Sequence, residues 1–427
     1  MMILTGRSQH GVCGAFMALA GLVGCSPMAS DGDRLGEPFA FETVPPAEAG
    51  EIDETAALTI ALQGIRAKTD ESQEGRLLRG VHPKSHGCVM ARFVVNDDIE
   101  EKYQVGLFAQ PGMKKGYDAW IRFSNASVLR EDDLKADNDD VRQNGSRGMA
   151  IKVMDVEGDM LSKDDGQSNQ DFLMINTPEF AFANVRDYLR LDRILALSEK
   201  GNDAALFFLP LKLDALGEPK DGESPETTKE RSKLKAIMEA IPAFNEFTSV
   251  DLGGTKASIG VIKGKIERKT VRNPMQVEYF GAAPFWFGAG QAMRFSAAPC
   301  EATDQAPFVD VTPDNPSKDY LGEALTQTMK GKKDVCYDFK VQLRSVDADD
   351  PKLEELKLED ATKIWSDDGT GYVNVARITI KVPQKPDTDK AMEQCEKLAF
   401  SPWHSLTDHQ PLGGINRARR KVYSDSA

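Results

Sequence analysis

The sequence is short of positive charge, of cysteine and of long apolar segments. Over 427 residues, 53 lysines and arginines face 67 acidic residues, which gives a formal net charge of −14 at pH 7. This balance argues against nucleic acid or an anionic membrane surface as the main partner. None of the six cysteines has CxxC spacing, which disfavours a structural zinc site, and no internal repeat is visible.

The N-terminal apolar run Gly11–Gly24 is too short to cross a bilayer, which needs about 20 apolar residues. Behind a short basic start, it is typical of a signal peptide. The run ends in Leu22-Val23-Gly24-Cys25, which resembles the bacterial lipobox. We therefore predict a lipoprotein signal over residues 1–24, a lipid anchor on Cys25 and a location on the periplasmic side of a bacterial membrane. An ordinary secretory signal is the alternative.

Four cysteines remain for the exported chain: Cys88, Cys300, Cys336 and Cys395. An oxidising compartment permits one or two disulfides, and four cysteines allow three full pairings. The sequence does not choose among them.

The chain divides into a tether and helix over residues 25–70 and one folded domain over 71–427. Residues 26–58 are rich in glycine, proline, alanine and acidic groups, and helical spacing follows at Ala56–Thr69. Strand patterns lie at 89–95, 103–108, 119–123, 150–154, 171–175, 275–279, 293–298, 334–345 and 372–382. Helices are predicted over 184–199 and 228–241, and a solvated loop over 131–140. Two groups of strands around a helical insert predict an α+β fold built on one closed antiparallel β-barrel.

Candidate reactive residues lie at both ends of the predicted domain. His82 follows Arg79-Gly80-Val81, where a histidine is commonly only a polar loop residue. His82 and His86 have the spacing of helical metal ligands, but Pro83 and Gly87 oppose a helix there, so metal binding is the weaker interpretation.

Arg419 and Tyr423 are four positions apart and would share one helix face. A tyrosine phenol has a pKa of about 10, and a neighbouring guanidinium stabilises its phenolate form. Phenolate is an axial ligand that haem iron accepts. The plainer interpretation is a basic tail on an acidic protein.

Six short segments, in order along residues 71–427, resemble landmark motifs of the catalase family. The matching residues are Arg79, Val81, His82 and Lys84; Arg122, Phe123 and Ser124; Arg147, Gly148, Ala150 and Lys152; Asn176, Thr177 and Pro178; Ala399, Phe400 and Pro402; and Arg419, Tyr423, Asp425 and Ser426.

The resemblance implies bound haem b and peroxide chemistry. It makes His82 the distal acid–base that moves a proton between the two oxygens of peroxide, with Ser124 orienting its imidazole. The implied haem contacts are Arg79 and Arg122 on the propionates, Val81 on the distal face of the ring, Arg419 on the Tyr423 oxygen, and Tyr423 on the iron.

Ile175 departs from the family pattern, because catalases place an asparagine just before Asn-Thr-Pro. Asn176 cannot substitute without a bulge, since neighbouring strand residues face opposite sides. An apolar group there should disfavour oxidation of a second hydrogen peroxide and suit a bulkier hydroperoxide.

The predicted function is a haem-dependent peroxidase or weak catalase that reduces hydrogen peroxide or organic hydroperoxides with an unidentified electron donor. One alternative is rearrangement of fatty-acid hydroperoxides, as in allene oxide synthases. Others are a non-catalytic haem-binding lipoprotein and a structural barrel without haem. The oligomeric state stays open.

Overall fold

Eight antiparallel strands close into a barrel within the part of the chain that the structure describes. The strands of this computed structural model are β1 (Ser85–Val95), β2 (Tyr117–Asn125), β3 (Lys135–Asp137), β4 (Val141–Gln143), β5 (Arg147–Val153), β6 (Gln170–Ile175), β7 (Tyr279–Gly281), β8 (Phe285–Trp286), β9 (Gln291–Pro299), β10 (Val335–Ser345) and β11 (Val373–Ile380). The order β10-β11-β1-β2-β5-β6-β7-β9 is closed by pairing of β9 with β10. β8 adds to β9, and β3 and β4 form a separate hairpin.

The described residues are 36–69, 79, 82–110, 116–126, 135–137, 141–143, 145–162, 168–196, 207–240, 252–266, 271–288, 290–301, 317, 319–347, 357–366 and 371–425. The predicted signal peptide over residues 1–24, Cys25 and Val81 lie outside them.

Alternating side chains fill the barrel. Along β10, Val335, Tyr337, Phe339 and Val341 are fully buried, while the residues between them are more exposed. Phenylalanine rings from several strands meet in the centre, as where the Phe172 and Phe339 centroids lie 4.6 Å apart. Each such side chain contributes about 1.5–3 kcal/mol by leaving water, so the dry interior fixes the register of every strand.

Eight helices accompany the barrel in the described part of the chain: α1 (Glu48–Thr69), α2 (Val185–Ala196), α3 (Leu209–Ala215), α4 (Pro225–Ala240), α5 (Leu252–Val261), α6 (Tyr320–Met329), α7 (Asp389–Glu396) and α8 (Gly414–Asp425). A second apolar cluster joins α1, α2, α3 and α4 through residues such as Leu62, Ile194 and Phe207. No helix among the described residues is long and apolar enough to cross a membrane. The predicted α+β fold with a closed antiparallel barrel is confirmed.

Two predicted strands are wrong. Residues 103–108 form 3₁₀ turns, Glu101–Tyr103 and Gly106–Phe108, because Gly106 adopts φ +52° and a Cβ there would lie 2.5 Å from the His409 imidazole. In 275–279, Pro274–Gln276 is a 3₁₀ turn capped by the Asn273 side chain. The predicted acidic loop also differs, since it contains β3.

The N-terminal segment packs on the domain from Gly36 onward, which differs from the predicted tether through residue 58. Phe39 and Phe41 stack with Trp286 at centroid distances of 4.6 and 5.8 Å. The helix predicted at Ala56 already begins at Glu48. Aromatic side chains in a segment without helical period find partners on the barrel, and that pairing depends on residues far away in sequence.

The structure selects one of the three cysteine pairings. Cys88 on β1 is bonded to Cys395 on α7, and Cys300 is bonded to Cys336 beside the β9–β10 pair. The second bond therefore lies beside two paired strands, and the first attaches a helix to a strand of the barrel.

Arg417 fixes the start of α8 through three carboxylates. Its guanidinium donates to Glu42 at 2.6 Å, to Glu48 at 2.5 and 3.0 Å, and to Glu359 at 2.8 Å. Glu42 and Glu359 also accept from the backbone N–H groups of Gly413 and Gly414. These carboxylates satisfy amides that the first turn of a helix leaves without partners.

Replacement of Arg417 by alanine should lower the free energy of unfolding by about 3–5 kcal/mol, because it leaves buried carboxylates without their counter-charge. Urea unfolding followed by circular dichroism measures the loss. Lys421→Ala is the matched control, since Lys421 lies on the same helix and makes exposed pairs with Asp53 and Asp425. Equal losses in the two variants would contradict the role of Arg417.

Candidate functional site

A row of three residues crosses three strands on the outer face of the barrel. Ser124 on β2 lies opposite Gly148 on β5, and Gly148 lies opposite Ile175 on β6. Directly opposed residues of antiparallel strands point to the same face. Their neighbours Phe123 and Met149 are buried in the barrel core, so the row faces outward, toward the covering segments.

The His82 imidazole sits against this row. Its Nδ1 lies 3.0 Å from the Ser124 Oγ, and its backbone has φ +53°. A Cβ on Gly148 would lie 2.2 Å from His82 Nδ1 and 2.8 Å from Ser124 Oγ. Glycine at position 148 is therefore required for the imidazole to occupy this place. The structure brings His82 and Ser124 together as the sequence predicted.

Two arginines flank His82. The buried Arg122 donates from Nη2 to the His82 carbonyl oxygen at 3.0 Å. Arg79 donates from Nη2 to the carbonyl oxygens of Cys395, Glu396 and Leu398 at 3.4, 3.1 and 2.8 Å. The Glu396 carboxylate lies 3.3 Å from Arg79 Nε and 3.6 Å from Arg122 Nη2. Both predicted arginines are at the site, and both approach the C-terminal end of α7.

Burial, together with the positive charges of Arg122, Arg419 and Arg79, lowers the pKa of His82 to about 3. The imidazole is therefore neutral at physiological pH and able to accept a proton. Burial also lowers the pKa of Arg122 to about 10, with repulsion from Arg79 adding to the effect and Glu396 opposing it. Arg122 thus remains a cation.

Arg419 and Tyr423 lie on α8, one turn apart, as their spacing predicted. The Arg419 guanidinium lies 5.5 Å from the centroid of the Tyr423 ring, and its Nη1 donates to the Asn416 side chain at 3.1 Å. The charge of Arg419 acts on His82, and the Tyr423 phenol interacts electrostatically with Arg122. The C-terminal helix and the His82 segment therefore meet in one region.

Sequence reasoning missed two groups at this site. One is Glu396, for which no sequence signal exists. The other is a buried set in which Lys152 Nζ lies 2.9 Å from both Asp171 carboxylate oxygens and His404 Nδ1 lies 2.9 Å from Asp171 Oδ2. Lys152 belongs to a matched motif, so its strand position offered a signal, but its partner His404 is remote in sequence.

His86 and Asn176, two further candidates from the sequence, make hydrogen bonds within the fold. His86 Nε2 lies 2.9 Å from Asn125 Oδ1, and no group of three or more His, Cys, Asp or Glu residues among the described positions could hold a metal ion. Asn176 accepts from the backbone N–H of Arg147 at 2.8 Å. It therefore does not take the place of Ile175 in the outward row.

Comparison with solved structures identifies the architecture. A fungal catalase matches with a TM-score of 0.53 and 16% identity over 84% of this chain and 60% of that one. The fold is that of the catalases. Catalase A from Saccharomyces cerevisiae matches with a TM-score of 0.56 and 15% identity over 84% of this chain and 62% of its own. A bacterial catalase gives a TM-score of 0.51 and 18% identity over 85% and 59%.

The chain thus spans about 60% of the length of these catalases. No protein-family model and no curated protein matches it. At this identity the likeness to catalases concerns the fold, and the chemistry has to be argued from the residues on the barrel's outer face.

The neutral state of His82 predicts a pH dependence of stability. The unfolded chain binds a proton near the ordinary pKa of 6.5, whereas the folded chain binds it only near pH 3. Stability is therefore lost as pH falls between these values, by up to about 1.4 kcal/mol per pH unit. Urea unfolding from pH 7 to pH 4.5 should show a shallower slope for His82→Asn. The buried His409, whose pKa is lowered to about 4, contributes equally to both proteins. Parallel slopes would contradict the assignment.

Proposed function

We propose that this protein is a haem-dependent peroxidase with weak catalase activity that acts on organic hydroperoxides and hydrogen peroxide. The observation that carries the proposal is the neutral His82 imidazole, held on Ser124 over Gly148 and facing the helix of Arg419 and Tyr423. The catalase fold supports peroxide chemistry in general.

The residues at the site fit haem. Three guanidiniums, of Arg79, Arg122 and Arg419, act on His82, while Glu396 is the carboxylate that pairs with two of them. The buried Nε of Arg122 has no hydrogen-bond partner among the described residues. Such an excess of cations suits a ligand with two carboxylates. Tyr423 would ligate the iron, Arg419 would stabilise its phenolate, and Arg79 and Arg122 would bind the propionates of haem b.

The protein's own part in the reaction is the transfer of protons. Bound haem supplies the redox chemistry of O–O cleavage. With Nδ1–H donating to Ser124 Oγ, Nε2 of His82 accepts the proton of the hydroperoxide and returns it to the departing oxygen. A protonated His82 could not accept this proton, so the burial and the neighbouring arginines that keep His82 neutral support its role. Two electrons from a separate donor, taken up together with two protons, then complete the reduction of the peroxide to an alcohol and water.

Ile175 points to organic hydroperoxides as the substrate class. It lies opposite Gly148 on one side and Phe280 on the other, so an apolar surface continues the outward row beside His82. An asparagine side chain that could orient hydrogen peroxide is replaced by a buried alkyl group. The same surface favours a second candidate function, the rearrangement of a fatty-acid hydroperoxide, which needs no electron donor.

Location on the periplasmic side of a membrane, through a lipid anchor on Cys25, is part of the proposal.

A hemin titration of the full chain tests the ligand assignment. Tyr423→Phe should weaken hemin binding by at least about tenfold and change the visible absorption spectrum, because the phenyl ring cannot bind iron. Tyr117→Phe, on β2, is the control and should bind as the wild type does. A Tyr423→Phe protein with the wild-type haem spectrum would sink the assignment.

Exchange of Ile175 for asparagine tests the substrate class. Relative kcat/KM for hydrogen peroxide over cumene hydroperoxide should rise by about tenfold, because an amide can orient the small polar peroxide. Leu173→Asn is the matched control, since Leu173 lies on the same strand and face, opposite Ala150.

An unchanged ratio of kcat/KM for the two peroxides in Ile175→Asn would contradict the role of Ile175. Oxygen evolution by the wild type as fast as in true catalases would contradict it as well. Turnover of a fatty-acid hydroperoxide without a reductant, with no alcohol formed, would select the rearrangement.

A further inference from the structure

The arginine pair beside His82 shares a carboxylate that belongs to the protein. Glu396 Oε2 lies 3.3 Å from Arg79 Nε, and Glu396 Oε1 lies 3.6 Å from Arg122 Nη2. Arg122 has 3% of its side chain exposed and Glu396 has 25%. Two guanidiniums this close repel each other, and an anion between them lowers that repulsion. Glu396 is thus placed to determine where both arginines point.

The end of α7 adds a second set of contacts. The carbonyl oxygens of Cys395, Glu396 and Leu398 all accept from Arg79 Nη2. Carbonyls at a helix C-terminus carry partial negative charge and attract cations. The Arg79 guanidinium is therefore held at Nη2 by backbone carbonyl oxygens and at Nε by the Glu396 carboxylate.

A disulfide fixes this helix end to the barrel. Cys395, next to Glu396, is bonded to Cys88 with a Cα–Cα distance of 5.4 Å. Cys88 on β1 lies directly opposite Arg122 on β2, so both side chains face outward together. The covalent bond thus sets the distance between Glu396 and Arg122, and Arg122 in turn donates to the His82 carbonyl.

We propose that Glu396 is a positioning residue: its carboxylate, held by the Cys88–Cys395 bond, orients Arg79 and Arg122 to bind the carboxylates of haem. This role rests on the proposed function, since it presumes haem as the ligand. It makes haem affinity depend on a residue that touches neither the iron nor the peroxide.

Titrations with hemin and with hemin dimethyl ester test the proposal, because the ester lacks free propionate carboxylates. Glu396→Gln in the full chain should weaken hemin binding by about tenfold, since two arginine side chains must then be ordered on binding. Binding of the ester should not change. Glu393→Gln is the matched control, since Glu393 lies on the same helix and pairs with Lys397 in solvent. It should leave both affinities unchanged.

The disulfide provides an independent arm. Cys88→Ser with Cys395→Ser should reproduce the selective loss for hemin, whereas Cys300→Ser with Cys336→Ser should not. Equal weakening for hemin and ester in Glu396→Gln would show a merely structural role, and tighter hemin binding would show that Glu396 competes with propionates. Either result overturns the proposal. A wild type that binds neither probe refutes the proposed haem function itself, which the variants alone cannot do.

Discussion

A buried carboxylate attaches the segment between α7 and α8 to the barrel. Asp171 is fully buried and accepts from Lys152 Nζ, from His404 and from the backbone N–H of Ser401. A carboxylate at this depth is tolerated because its oxygens are occupied by hydrogen bonds and a counter-charge. Lys152 and Asp171 are opposed on β5 and β6, so the anchor is part of the sheet itself. The segment that carries Ser401 and His404 lies between α7, which holds Glu396, and α8, which holds Tyr423. The two helices that face His82 are therefore joined by a segment that this carboxylate attaches to the sheet.

The packed interior of the barrel makes the site on its outer face rigid. The inward residues of β2, β5 and β6 pack as a dense aromatic and aliphatic core, which resists any change of register. Since opposed residues keep their pairing, Ser124, Gly148 and Ile175 stay aligned on the outer face. His82 needs this precision, because its ring fits only over a glycine. A site on the outer face of a rigid sheet is also open to covering segments, whose polar groups set its charge.

The sequence predicted those parts of the molecule that are marked by a hydrophobic period or by a residue spacing within a few positions. The alternation of β10 and the one-turn spacing of Arg419 and Tyr423 both correspond to the structure. The segment around Gly106 was misjudged, because a left-handed backbone conformation does not show in a β-rich composition. Glu396 and the pairing of Cys88 with Cys395 across 307 positions depend on barrel closure. No local pattern encodes such contacts, since the partners become neighbours only after the strands have paired.

The N-terminal segment that carries Glu42 and Glu48 affects the site because it helps to attach α8, which carries Tyr423. α8 is attached mainly at its first turn, where Arg417 binds three carboxylates and Trp403 Nε1 donates to the Asn416 carbonyl oxygen at 2.7 Å. Tyr423 lies six residues beyond Arg417, which at a rise of about 1.5 Å per residue is roughly 9 Å along the helix. A tilt of about 10° at the attachment would move the phenol by about 1.6 Å, whereas a functional group has to hold its place within about 0.5 Å. The attachment must therefore limit tilt to about 3°, which several charged contacts in different directions achieve better than one. Glu42 and Glu48 supply two of these contacts, so residues far from the catalase-like motifs control the position of the proposed haem ligand.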